Sequence, residues 1–152
     1  MNKLPKSQKS KSIKTPWHIW LIGILGLIWN SIGVYDFIMA QTKNKAYLSS
    51  FTPEQLSFFY GLPFWVVVAW AISVWGGLIG IILLLCRRAA ATWWFLVSFV
   101  GILLTTFNNF VLSKGMEVIG DTTSLVFTSL IILVALGFYL YSVNMQRKGI
   151  LR

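Results

Sequence analysis

The sequence predicts an all-α integral membrane fold: an antiparallel bundle of four transmembrane helices, with a short interfacial helix in the first outer loop. Three observations predict it. Hydrophobic residues make up 57% of the 152-residue chain and charged residues 11%, against about a quarter charged in a soluble domain. A chain this small has too much surface to hide that much apolar area from water, so lipid must solvate its outside. Finally, the apolar residues fall into four long runs separated by charged or turn-forming segments.

Residues 1–16 carry Lys3, Lys6, Lys9, Lys11 and Lys14, several serines and two prolines. They read as a disordered basic cytoplasmic tail. The first run, 17–39, is long enough to cross a hydrocarbon core of ~30 Å with some tilt. It exceeds a signal-peptide apolar region of about 7–15 residues, and Ile38-Met39-Ala40 makes a poor cleavage site, so an uncleaved first helix is expected. Within the loop 40–61, Thr52-Pro53-Glu54-Gln55 reads as a helix start, with Thr52 as N-cap, Pro53 at the first helical position and Gln55 completing a capping box. This helix, ended by Gly61, is expected at the membrane surface. The second run, 62–85, has Pro63 in its first turn, where a missing N–H costs little. A tight connection through Arg87 and Arg88 leads to the third run, 93–112. A loop with Lys114, Glu117 and Asp121 leads to the fourth, 123–141, and residues 146–152 form a second basic tail.

Orientation follows from where the cations lie. With the N-terminus inside, the five tail lysines, Arg87, Arg88, Arg147, Lys148 and Arg152 are internal, and only Lys43, Lys45 and Lys114 are external. This distribution predicts cytoplasmic termini, with Arg87 and Arg88 as anchors to anionic headgroups. It also argues against nucleic acid as a partner, because the cations flank apolar runs and form no basic face interleaved with aromatics. Trp17, Trp20, Trp93, Trp94, Tyr139 and Tyr141 mark the inner interface, Trp65 and Tyr60 the outer one.

Lipid tails are as apolar as leucine, so the helices must associate through close packing and polar contacts. Each span has a stripe of small or polar residues at three- and four-residue spacing. The stripes are Gly23, Gly26, Asn30, Gly33; Ser73, Gly77, Gly80, with Gly76 beside them; Ser98, Gly101, Thr105, Asn108, Asn109; and Ser124, Thr128, Ala135. They are expected to line the bundle interior, and Gly76 with Gly80 offers a face for self-association.

Polar residues concentrate toward the outer halves of the spans. Asn30, Asp36, Thr105, Asn108, Asn109 and Thr128 form either a solute-binding cluster or interhelical glue, the latter worth about 0.6 kcal/mol per contact in membranes. Asp36 is the sharpest candidate, since an ionisable residue within a span is costly and often functional; the alternative is an interfacial carboxylate bonded to a neighbouring helix or to Lys43. Trp29, Trp70 and Trp75 near mid-membrane either fill the bundle or shape a pocket. His18 is expected to be solvated at the inner interface. One cysteine, Cys86, and one histidine exclude a disulfide within the chain and the usual multi-ligand metal motifs. No phosphate loop, nucleophile elbow or zinc helix is present. The reading is of a non-enzyme without cofactor or metal. Its partners are the lipid bilayer and either a second copy or another membrane protein.

Several strings occur together: Trp29-Asn30-Ser31-Ile32-Gly33-Val34-Tyr35-Asp36, Ala46-Tyr47-Leu48, Phe51-Thr52-Pro53-Glu54-Gln55-Leu56, Trp75-Gly76-Gly77 with Arg87-Arg88, and Lys148-Gly149-Ile150-Leu151-Arg152. In these, over residues 17–152, the chain resembles a family of small four-span bacterial inner-membrane proteins often labelled "sugar transporter" or hypothetical membrane protein. The resemblance implies a bacterial inner-membrane location and small-solute transport; it assigns no binding residue. The competing expectation is an accessory protein that binds another membrane protein or lipid through its small-residue faces and the outer loop.

Overall fold

The computed structural model describes residues 15–152, so the expected tail lies outside the described residues except for Thr15 and Pro16. Among the described residues, four helices are long and apolar enough to cross a membrane. They are α1 (His18–Gln41), α4 (Phe64–Leu85), α5 (Ala90–Phe107, continued by a π-helical turn, Asn108–Leu112) and α7 (Thr122–Arg147). Three short helices join them: α2 (Lys45–Leu48), α3 (Pro53–Tyr60) and α6 (Gly115–Val118). The chain is an all-α membrane bundle.

The local signals act as their chemistry requires. At α3, the Gln55 N–H donates to Thr52 Oγ1 (3.3 Å) and the Thr52 N–H to Gln55 Oε1 (3.1 Å), a complete capping box. α1 ends where Thr42 folds onto it, with both N–H and Oγ1 donating to the Ile38 carbonyl (2.9 and 2.7 Å). Lys43 then takes a left-handed φ of 52°, which breaks the helix.

Three boundaries differ from expectation. α5 begins at Ala90 and not at residue 93, because Ala90 and Ala91 are strong helix formers even though they add little to an apolar run. α7 continues to Arg147: Ser142 and Met145, both buried, extend its packed face past Tyr141, where the apolar run ends. Residues 146–152 are not a free tail. Ile150 and Leu151 are buried in a cluster with Ile19, Ile81, Leu84 and Phe95.

The four spans alternate in direction, α1 against α4, α4 against α5 and α5 against α7. One end of the bundle therefore carries the start of α1, the α4–α5 turn and the end of α7. This is the terminal end; the opposite, loop end carries α2, α3 and α6. α4 is the centre. On one side Gly23 meets Leu85, Gly26 meets Ile81, Asn30 meets Gly77 and Gly33 meets Val74. On the other, Gly76 packs on Ser98, Gly80 on Phe95, and Gly101 on the Ala69 carbonyl and Ser73. The expected stripes of α1, α4 and α5 thus face one another.

One expectation fails here. Gly76, Gly77 and Gly80 are buried within the chain, so Gly76 and Gly80 form no face for self-association; α5 already occupies it. The α7 stripe of Ser124, Thr128 and Ala135 is half-buried, and α7 packs along α5. Aromatic side chains add to its contacts: Phe138 stacks on Phe95 (5.5 Å between centroids, 13° between planes) and reaches Gly26, and the exposed Phe127 lies 6.3 Å from Trp29.

The glycines divide by what surrounds them, and this fixes an expected ranking of stabilities. A Cβ on Gly101 would lie 2.8 Å from the backbone oxygen of Ala69, which cannot move without shifting α4. Gly101→Ala should therefore cost about 1–3 kcal/mol. Gly33, whose nearest neighbour would stand at an ordinary 3.7 Å, should tolerate alanine, and Gly137, with open space around it, should gain about 0.5–1 kcal/mol from helix propensity. Denaturation of the three variants in detergent checks the order.

Candidate functional site

Five of the six expected polar residues are hydrogen-bonded where they stand, and among the six only Asn108 and Asn109 bond each other. Asn30, half-buried at mid-bundle, donates from Nδ2 to the Gly26 carbonyl of its own helix (2.8 Å), and its Oδ1 lies where a Cβ on Gly77 would be. Next to it, Ser98 Oγ donates to the Ser73 carbonyl across the α4–α5 interface (2.6 Å), and Ser73 Oγ donates to the Trp70 carbonyl (2.7 Å). This is a polar knot where α1, α4 and α5 meet, in which only the Ser98–Ser73 bond crosses between helices, and the missing side chain at Gly77 leaves room for it. Thr105 Oγ1 returns to the Gly101 carbonyl of α5 (2.9 Å), a bond that removes it from interhelical chemistry. Thr128 is half-buried on α7, next to the Phe127 that packs on Trp29.

Asn108 and Asn109 lie in the π-helical turn. Asn108 is buried and donates from Nδ2 to Asn109 Oδ1 (3.3 Å). Ser113 closes the turn: its N–H donates to the Asn108 carbonyl (2.9 Å), and its Oγ bonds the Asn108 and Asn109 carbonyls (2.8 and 3.0 Å). Gly115 then passes so near the Asn109 carbonyl that a Cβ would clash with backbone. The two asparagines bend the end of α5 into α6, a role in the connection that the run of apolar spacing does not reveal.

Asp36 has the most distinctive surroundings. It is half-buried near the loop end of α1 and accepts a hydrogen bond from the Tyr47 hydroxyl of α2. Lys43, an alternative expected partner, instead lies 4.6 Å from the centre of the Tyr60 ring, a cation–π contact. Tyr47 is placed by local chemistry: Asn44 caps α2 and accepts the Tyr47 N–H (3.0 Å). From Tyr47 a chain of aromatic contacts runs across the loop end. Tyr35 stands edge-on to it (6.1 Å), Phe51 lies 5.7 Å away, Phe59 follows at 5.9 Å from Phe51, and Phe58 at 5.6 Å from Phe59. The connections α2 and α3 therefore form an aromatic cap tied to α1 through one carboxylate.

Of the mid-membrane tryptophans, Trp29 and Trp70 pack within the bundle, Trp70 edge-on to Phe37 (5.1 Å), whereas Trp75 is 42% exposed and faces outward. At the terminal end His18 is not simply solvated: its Nδ1 and the Tyr141 hydroxyl share a hydrogen bond of 2.6 Å, which links α1 to α7. Tyr47 and the His18–Tyr141 pair both escape a reading by spacing. A signal for Tyr47 was present in Asn44, an N-cap type three residues before it; none marks the His18–Tyr141 contact, which spans 123 residues of chain.

Two outcomes follow from these bonds. Tyr47→Phe removes the Asp36 contact alone and should cost about 1–3 kcal/mol of cap stability, since the lost bond is to a carboxylate; faster amide exchange at Lys45–Leu48, with the spans unchanged, reads it. Asp121, the N-cap of α7, accepts the Ser124 N–H (3.1 Å) and hydroxyl (2.6 Å). These bonds hold its carboxyl below the ordinary value. A depressed carboxylate stabilises the fold above its ordinary pKa and loses that contribution as pH falls. Hydrogen exchange at Ser124 should therefore speed up below pH about 4, relative to the same amide in Asp121→Asn.

The chain matches no protein-family model, no curated protein and no solved structure, so what it does has to be read from these side chains.

Proposed function

We propose that the chain is a bacterial inner-membrane protein with cytoplasmic termini that serves as an accessory protein, binding another membrane protein through its outer aromatic cap. The observation that carries this reading is the use made of the polar side chains. Asn30, Ser73 and Thr105 return their hydrogen bonds to their own helices, Ser98 bonds across to α4, and Asn108 and Asn109 bond each other, so these side chains are committed to the helices themselves and to one helix contact. The most elaborate construction lies instead in the outer loops, where a carboxylate, a capping box and five aromatic side chains fix a small surface. Such a surface, rich in Tyr and Phe, is the kind that anchors protein contacts. The orientation is supported by the bias of Lys and Arg toward the terminal end, and the bacterial inner-membrane assignment by the resemblance to the four-span family.

A second reading, binding or transport of a small sugar-like solute, is favoured by one feature: Asp36 and the Tyr47 hydroxyl stand together among aromatic rings at the outer end. A carboxylate beside aromatic faces suits a polyhydroxylated ring.

The two readings separate on one experiment with two arms. In nanodiscs, the full chain is heated with a panel of sugars, polyols, amino acids and ions; a solute at ~100 times its Kd would stabilise it by ~2.7 kcal/mol. The accessory reading expects no such shift, and expects a photo-crosslinker at Phe58 to capture one discrete membrane protein in native membranes, with none captured from Ile28 on the flank of α1. A solute shift that vanishes in Asp36→Asn replaces the accessory reading with the solute one.

A further inference from the structure

At the terminal end the chain turns back on itself after α7. Gly149 takes a left-handed φ of 70° and sends Ile150 and Leu151 into the core. Arg152 then pairs with the α4–α5 turn in both directions: its N–H donates to the Arg87 carbonyl and its carbonyl accepts from the Ala89 N–H, each at 2.9 Å. Arg87 is itself left-handed, with φ 56°, a conformation that a side-chain-bearing residue keeps only when its surroundings hold it. The backbones of Arg87 and Arg152 are thus fixed relative to each other.

Between them lies a recess of ≈ 350 Å³, lined by Arg87, Arg88, Arg152, Thr15, Cys86 and Gly149. One donor of Arg87 goes to Thr15 Oγ1 (2.7 Å) and one of Arg152 to the Gly149 carbonyl (3.3 Å). A guanidinium has five, so most of the donors of three guanidiniums have no protein partner among the described residues. No side-chain carboxylate neutralises them: Asp36, Glu54, Glu117 and Asp121 all belong to the loop end, and residues 1–14 contain none. The depth of the recess is set by Cys86, which directly follows the last residue of α4, and by the exposed Trp17, Trp20 and Trp93 around the same end. Tryptophans of this kind sit at the level of lipid headgroups.

We propose that this recess is a phosphate-binding site that takes the phosphodiester headgroup of an anionic membrane lipid. The guanidinium fork matches two phosphate oxygens at once, which an ammonium does not. Fixing two of the arginines through the backbone removes part of the ordering cost that surface arginines pay on binding. A zwitterionic headgroup brings its own cation toward three guanidiniums and is disfavoured; a headgroup with net negative charge is not. The site lies at the opposite end of the bundle from the aromatic cap and does not rest on the reading of that cap.

The test is lipid titration of the purified full chain, followed by native mass spectrometry, with dioleoyl phosphatidylglycerol against the phosphatidylcholine of the same chains. The double variant Arg88→Gln/Arg152→Gln is compared with Arg147→Gln/Lys148→Gln, which removes the same charge from residues outside the recess. The expected result is one tightly held phosphatidylglycerol per chain, bound at least about tenfold more weakly in the first variant, the loss of one charge-assisted bond, and unchanged in the second. Equal weakening in both variants would reduce the effect to surface charge and overturn the site, as would unchanged binding in the first. In detergent, thermal stabilisation by inorganic phosphate but not by phosphatidylglycerol would make the source a free phosphate and overturn the lipid assignment. Both variants replace exposed side chains, and matching melting curves without lipid confirm that the fold is intact.

Discussion

The structure depends on how closely α4 can approach its two neighbours. In lipid, exchanging a helix–lipid contact for a helix–helix contact gains almost nothing from the hydrophobic effect, so association rests on dispersion at short range and on the few polar bonds that close packing makes possible. α4 meets this constraint on both flanks with Ser73, Gly76, Gly77 and Gly80, and α1 and α5 answer with Gly23, Gly26 and Gly101. The polar knot follows from the same approach. Asn30 sits over Gly77, and Ser98 reaches the Ser73 carbonyl, only because no side chain stands between the backbones. Polar bonding here is a product of tight packing as much as its cause.

Away from α4 the constraint relaxes, and larger side chains take over. α7 is joined to the rest through Phe95–Phe138, Trp29–Phe127 and His18–Tyr141. Aromatic contacts of this type reach across wider gaps and add modest energy beyond their buried area. The two ends of the bundle are built in different ways again. One is an aromatic cap with local capping bonds; the other is a hooked chain whose backbone pairs with the α4–α5 turn.

The fold was legible in the sequence because hydropathy and charge speak directly to the membrane. Run length, the small-residue stripes of α1, α4 and α5, and the Thr52–Gln55 capping box each carry their own physical cause and needed no partner to be read. What stayed hidden was pairwise. Asp36 was visible as an ionisable residue in a span, but its partner Tyr47 lies on a helix of four residues, too short to show a period. Ile150 and Leu151 looked like part of a basic tail because Arg147, Lys148 and Arg152 surround them; their burial depends on a turn at Gly149 that composition does not register. Gly76 and Gly80 were legible as a packing face, while the identity of the helix packed there, α5 of the same chain, was not. A list of polar residues at similar depth likewise suggested one cluster, although side chains on different faces of different helices can share a depth without meeting.

The arrangement of the seams has a consequence for how the protein is assembled during synthesis. α4 and α5 are joined by four residues and share the tightest interface, so they form a helical hairpin whose contacts are close in sequence and form early. α1 packs on that hairpin through α4, so this interface needs no residue beyond α4. The seam between α1 and α7 is different: it joins the first span to the last, and its bonds appear only after the whole membrane domain has been translated. Until then one flank of α1, including His18 and Trp29, faces lipid or the insertion machinery. Because α7 closes this seam with large side chains and not with interlocked backbones, it can dock late without displacing anything already packed. The looseness that makes α7 the least embedded span thereby also makes it the one that can be added last.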